Sequence, residues 1–237
     1  MLRRHVRLAA RFAASITAIV AVILLPGTAA RAQFAVPFQR PSVEPAGTFI
    51  LYPSIGVTHD TDFTDVALMI RGRYSVLDKL SVSAQLGGAF GDADDFEFGL
   101  GGKFQILDQT ESLPVQVSTF GAFDVGIGDI DAESLAFGPL VGHRFDVQNL
   151  GLTPYAGFSV GFTHSSQDVG RDSVSSTDVL FGFIMGGDIA FTKDLSSTME
   201  FTIGATDGIP ILNWHFGLSY ALLSAPRYVP PTSSSTF

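Results

Sequence analysis

Apolar residues alternate one for one with polar or small residues through most of this chain, and few folds accept that pattern. Val66, Leu68, Ile70, Gly72, Tyr74 and Val76 interleave with Asp65, Ala67, Met69, Arg71, Arg73 and Ser75. Phe96, Phe98, Leu100, Gly102, Phe104 and Ile106 interleave with Glu97, Gly99, Gly101, Lys103 and Gln105. Leu212, Trp214, Phe216, Leu218, Tyr220 and Leu222 alternate with Asn213, His215, Gly217 and Ser219. A period of two puts each set on its own face of a β-strand. Long stretches of 3.6 periodicity are missing. Ten such segments are expected, near residues 46–57, 65–76, 80–90, 96–106, 114–127, 135–146, 152–163, 177–191, 196–206 and 211–222. Their even spacing predicts an all-β, up-and-down antiparallel sheet.

Alternation alone does not say which face meets solvent. A soluble barrel or sandwich hides the apolar face, whereas a membrane barrel turns it to lipid. Three features favour the second. The polar face is crowded with small residues, among them Ser81, Ser83, Gly87, Ala89, Gly99, Gly101, Gly138, Gly142, Gly157, Ser159, Gly161, Gly182 and Gly186. These suit the concave side of a narrow barrel better than a water-facing surface. The charges on that face are of both signs, at Arg71, Arg73, Glu97, Lys103, Asp124, Arg144, Asp188 and Glu200, with His215 beside them. Enclosed charges need partners, since an unpaired one costs several kcal/mol. These nine residues are the expected polar network of the lumen. The apolar face carries aromatics near segment ends, at Phe49, Tyr74, Phe90, Phe96, Phe104, Phe162, Phe191 and Tyr220, as interfacial girdles do. Finally, a strand of about 11 residues tilted by about 40° rises roughly 27 Å, near the ~25 Å of the apolar band. Closure is then required, because lipid tolerates no open sheet edge.

The first residues read as an export signal. Arg3, Arg4, Arg7 and Arg11 precede an apolar run from Ala13 to Leu25, and Ala30-Arg31-Ala32 has the form of a cleavage site. The run is too short for the ~20 residues of a spanning helix. Five of the 14 basic residues and none of the 23 acidic ones lie in residues 1–32, so the remainder carries a formal charge of −14. That excess argues against nucleic acid as a partner. The chain has no Cys, which excludes disulfides and thiolate chemistry. Residues 33–45, with Pro37, Pro41 and Pro45, read as an extended lead-in to a barrel over 46–222, and residues 223–237 read as a disordered tail.

On the signal, the even number of segments, turns of the Leu77-Asp78-Lys79-Leu80-Ser81 kind and the last strand Trp214 to Leu222, the chain resembles the small integral β-barrels of the Gram-negative outer membrane. The resemblance implies a closed transmembrane barrel of about ten strands (eight being the other choice) with both termini in the periplasm. The partners it implies are outer-membrane lipid, lipopolysaccharide and the barrel assembly machinery, with no cofactor; the oligomeric state is left open. One class of connector then faces outward. It carries Asp60, Asp62, Asp92, Asp94, Asp95, Asp129, Asp131, Glu133, Asp168, Asp172 and Asp207, an acidic outer rim able to gather cations. None of it follows a complete calcium-loop spacing, and no metal site is expected.

The expected role is structural or surface-interactive, or a narrow solute path, since a ten-stranded barrel is near the size that side chains can fill. No metalloprotease His pair is present, and the chain is not expected to be an enzyme. His164-Ser165-Ser166 supports an alternative, a rim hydrolase resembling lipid A deacylases. A soluble exported β-barrel binder is the third reading.

Overall fold

The computed structural model describes residues 39–59, 64–91, 95–128, 131–147, 150–169, 172–206 and 209–223. Among the described residues there are eleven strands: β1 (Phe49–His59), β2 (Thr64–Leu77), β3 (Leu80–Gly91), β4 (Asp95–Leu107), β5 (Gln116–Gly128), β6 (Asp131–Gly142), β7 (Phe145–Val147), β8 (Leu150–Val169), β9 (Asp172–Ala190), β10 (Leu195–Thr206) and β11 (Ile209–Leu223). Each long strand pairs antiparallel with its neighbours in sequence. β6 pairs with β8, and β11 returns to pair with β1. Ten long strands therefore close into a barrel, and the three-residue β7 pairs only with the start of β8. Following the registers once round the wall advances the ladder by about 12 residues, which corresponds to a tilt of roughly 40° and a backbone radius near 10 Å.

The faces divide as the alternation predicts. Leu68, Ile70, Phe98, Leu100, Phe104, Phe137, Phe181, Phe216 and Leu218 point outward; Leu100 is 51% exposed. Their strand neighbours Arg71, Gln85, Lys103, Asp124, Thr198, Asn213 and Ser219 point inward and are buried. An exterior of contiguous large apolar side chains, far beyond what a soluble monomer exposes, is the surface that acyl chains cover. Tyr74, Phe90, Phe96, Phe104, Phe162, Phe191 and Tyr220 all stand on this exterior. Phe49 covers Gly72 on the neighbouring strand, where a Cβ would meet its ring at 3.1 Å.

Three segments depart from the sequence reading. Residues 164–177, expected as a loop, extend β8 and β9 into a long hairpin that runs from Ser165↔Ser176 to Val169↔Asp172. This continuation leaves β9 from Asp172 to Val179 without a partner on its β10 side, where pairing begins at Thr206↔Leu180. The segment expected over 135–146 instead forms strand from Asp131 and ends at Gly142, after which the chain turns and β7 begins. The third departure is the lead-in. Its residues 39–45 lie within the end of the barrel; residues 33–38, the expected signal segment 1–32 and residues 224–237 of the expected tail lie outside the described residues.

Candidate functional site

Among the described residues the lumen is the enclosed polar region, and the strand registers order it along the barrel axis. At the end that holds the termini, inward positions are Tyr52, Arg73, Lys103, Gln105, Tyr155, Asp188, Thr198 and Glu200. Nearer the far end they are Asp65, Glu97, Asp124, Ser134, Thr163 and Asp178.

Room for the large inward side chains comes from glycine opposite them. A Cβ at Gly186 would fall 2.3 Å from the Tyr155 ring, one at Gly99 only 1.8 Å from Asp124 Oδ1, and one at Gly56 only 2.2 Å from His215 Nδ1. The inward glycines are thus the complement of the inward bulky groups, which explains why the polar face mixes the smallest residues with arginine and tyrosine. An apolar cluster of Phe120, Leu140, Tyr155 and Ile184 fills one side of the middle.

Residues 39–45 form a strap that enters this lumen. Its backbone is held by barrel side chains. The Gln39 N–H donates to Glu200 Oε2 at 2.8 Å. Lys103 Nζ donates to the carbonyls of Arg40 and Ser42 at 2.6 and 2.7 Å. The Val43 N–H donates to Gln105 Oε1 at 2.8 Å, and Gln105 Nε2 donates to Asp108 Oδ1. Arg40 pairs with Asp188 at 3.4 Å and with Glu44, four residues along the chain. Pro41 is fully buried against Gly142, where a Cβ would come within 2.5 Å of its Cγ. At Gly47 the chain leaves the lumen and enters the wall. Its φ of 82° lies in the left-handed region that glycine adopts without strain, and its N–H donates to the Ser75 carbonyl.

The wall residues around the strap are tied to one another. Tyr155 Oη donates to Glu200 Oε2 at 2.7 Å. Ser196 and Thr198 hydroxyls donate to Asp188 Oδ1 at 3.0 and 2.8 Å. Arg73 Nη1 donates to Tyr52 Oη at 3.3 Å, and its guanidinium lies 5.0 Å from the centre of that ring. Arg71 donates to Gln85 Oε1, and Gln85 Nε2 donates to Asp124 Oδ1. Glu200, 1% exposed, therefore links the wall, through Tyr155, to the strap, through Gln39.

Of the nine residues expected in the lumen, Arg71, Arg73, Lys103, Asp124, Asp188, Glu200 and His215 are inward and buried. Glu97 is inward and half-buried nearer the far end. Arg144 is not in the lumen. It follows the end of β6, is exposed, and pairs with Asp146 at 3.0 Å. Of the expected rim, Asp95 is half-buried, while Asp131 and Glu133 are exposed. Asp168 and Asp172 sit near the tip of the β8–β9 hairpin. Asp60, Asp62, Asp92, Asp94, Asp129 and Asp207 lie outside the described residues. Sequence reasoning missed the strap's Gln39, Arg40 and Glu44, and the inward Tyr52, Asp65, Gln85, Tyr155 and Asp178. The phase of β8 was a usable signal for Tyr155, which shares its face with Gly157 and Ser159.

The structure separates the His164–Ser165 pair of the rim-hydrolase reading. His164 Nδ1 contacts Thr177 Oγ1 at 2.9 Å, while Ser165 Oγ contacts Ser176 Oγ at 3.0 Å. Adjacent strand residues face opposite ways, so this His and this Ser do not meet. Among the described residues, no group of three or more His, Asp or Glu is placed to hold a metal ion.

Residues 20–221 match the family model for the outer membrane protein beta-barrel domain. No curated relative matches the sequence. Among solved structures, the N-terminal β-barrel domain of Pseudomonas aeruginosa OprF is similar at 8% identity and a TM-score of 0.38, over 73% of this chain and 96% of that one. Ail, the attachment invasion locus protein of Yersinia pestis, is similar at 10% identity and a TM-score of 0.37, over 76% and 99%. The β domain of the Bordetella autotransporter BrkA is similar at 13% identity and a TM-score of 0.44, over 74% and 99%. With its exterior belt, its closed wall of ten long strands and a family match that spans the barrel, the chain belongs to the outer membrane protein beta-barrel family, whose place is the Gram-negative outer membrane.

Proposed function

We propose that the protein serves the outer membrane as a closed, non-conducting barrel whose role is structural and surface-interactive. The observation that carries this reading is the occupied lumen. A buried strap, fixed by Lys103, Gln105, Asp188 and Glu200, crosses the end that an open pore would need free. The working surface is then the far end, with the long β8–β9 hairpin and the carboxylates around it. Those carboxylates, Asp131 and Glu133 among them, suit contact with lipopolysaccharide phosphates through bridging divalent cations. The termini face the periplasm in this reading, and β11 is the strand offered to the assembly machinery. Purified full-length protein in planar bilayers tests the proposal: it predicts a silent membrane, and steady single-channel steps from the unmodified chain would overturn it.

A further inference from the structure

We infer that residues 39–45 are a separable plug, and that the path they close is one for small cations. The inference rests on the closed-barrel reading above and goes beyond it.

The strap is attached to the wall by a mode different from the wall's own. Barrel strands hold each other by backbone ladders. The described hydrogen bonds between residues 39–43 and the wall all run between backbone and side chain or between two side chains. Removing the strap therefore breaks no ladder, and closure of the wall through β1–β11 and β6–β8 does not involve it. What it vacates is the cross-section of one extended chain, about 5 Å by 10 Å, wide enough for water and small ions.

The charge along this path is sorted. Beyond the strap, toward the far end, the inward carboxylates are Asp65, Asp95, Glu97, Asp124 and Asp178, on four different strands. The basic side chain turned inward closest to them is His215, and Arg71 lies below. Around the strap itself, Arg71, Arg73 and Lys103 stand against Asp188 and Glu200. The path without its strap thus carries a net negative lining, and rings of carboxylates in a low-dielectric wall favour cations. An independent observation comes from Asn213, 2% exposed and inward on β11. Among the described residues neither its Oδ1 nor its Nδ2 has a hydrogen-bond partner, and Asp124 Oδ2 is likewise without one. Deeply buried polar atoms of this kind are satisfied by water or a solute in the lumen rather than by the wall.

The test compares the full chain with a variant lacking residues 33–45 behind the native leader, both in planar bilayers under a KCl gradient. Heat-modifiable gel mobility reports whether each barrel is folded. Expected are silence from the full chain, discrete steps from the variant, and a reversal potential shifted toward that of potassium. Glu97→Gln with Asp124→Asn in the shortened chain moves that potential back toward zero. A folded, shortened barrel that stays silent overturns the plug, and a reversal potential on the chloride side overturns the cation path. Should the shortened chain not fold, Lys103→Ala in the full chain loosens two strap carbonyls and gives intermittent openings; a folded Lys103→Ala barrel without openings overturns the plug equally. Steps from the unmodified chain would instead refute the closed-barrel reading, which keeps the two failures apart.

Discussion

Glu200→Ala is the substitution that weighs the lumen most directly. The carboxylate is almost wholly buried and accepts from Tyr155 Oη at 2.7 Å and from the Gln39 N–H at 2.8 Å. Hydrogen bonds to a charged group contribute about 1.5–3 kcal/mol each, and truncating the acceptor leaves both donors buried without it. The lower end of the sum is the better expectation, since the strap can shift to hydrate its own N–H. The predicted loss is about 3 kcal/mol, more than a hundredfold in the unfolding constant. Tyr155→Phe removes the Tyr155 bond alone and keeps the ring packed over Gly186, so about 1.5 kcal/mol is expected. Urea titration of the protein refolded in lipid vesicles, followed by the single tryptophan, Trp214, supplies the assay. A Glu200→Ala midpoint within the ±0.5 kcal/mol scatter of surface substitutions would refute the reasoning, because it would mean that the carboxylate is already hydrated.

Other perturbations separate the lumen from the two surfaces. Leu100→Arg, at the middle of the outward face of β4, should destabilise the membrane-inserted barrel by about 2–4 kcal/mol, against about 0–1 kcal/mol for Leu107→Arg at the strand end, measured by the same titration. Gly142→Val puts a Cβ on Pro41 and should expel the strap without opening the wall. Limited proteolysis with mass spectrometry would then find new cuts in residues 39–45 while heat-modifiable mobility is kept. Lys79→Ala removes an exposed partner of Asp108 and should change stability by less than about 1 kcal/mol.

The wall was legible because its physics is local. A strict period of two on β2, β4 and β11 fixes which side chains share a face, and Phe98, Leu100 and Phe104 against Gly99, Gly101 and Lys103 fix which face can be enclosed. The strap was not legible, because proline-rich residues 39–45 have no period, and their partners lie far off in sequence. Gln39 meets Glu200 and Arg40 meets Asp188, contacts that only the closed barrel creates. Arg144 was misplaced for a different reason. Its parity continues that of Ala136, Gly138, Leu140 and Gly142, but the strand stops at Gly142 as the His143 N–H turns to the Pro154 carbonyl. Residues 164–177 carry the serines and aspartates of a loop. Pairing of β8 with β9 overrides that composition, as tertiary context often does for strand propensity.

A chain free of cysteine allows single nitroxide labels to be walked along β4, one position at a time from Phe98 to Gln105, in lipid vesicles. Collision with dissolved oxygen, which concentrates in acyl chains, should be high at positions 98, 100, 102 and 104 and low at 99, 101, 103 and 105. The opposite phase, or even positions open to a water-soluble relaxation agent instead, would show that the aromatic side of the wall does not meet lipid.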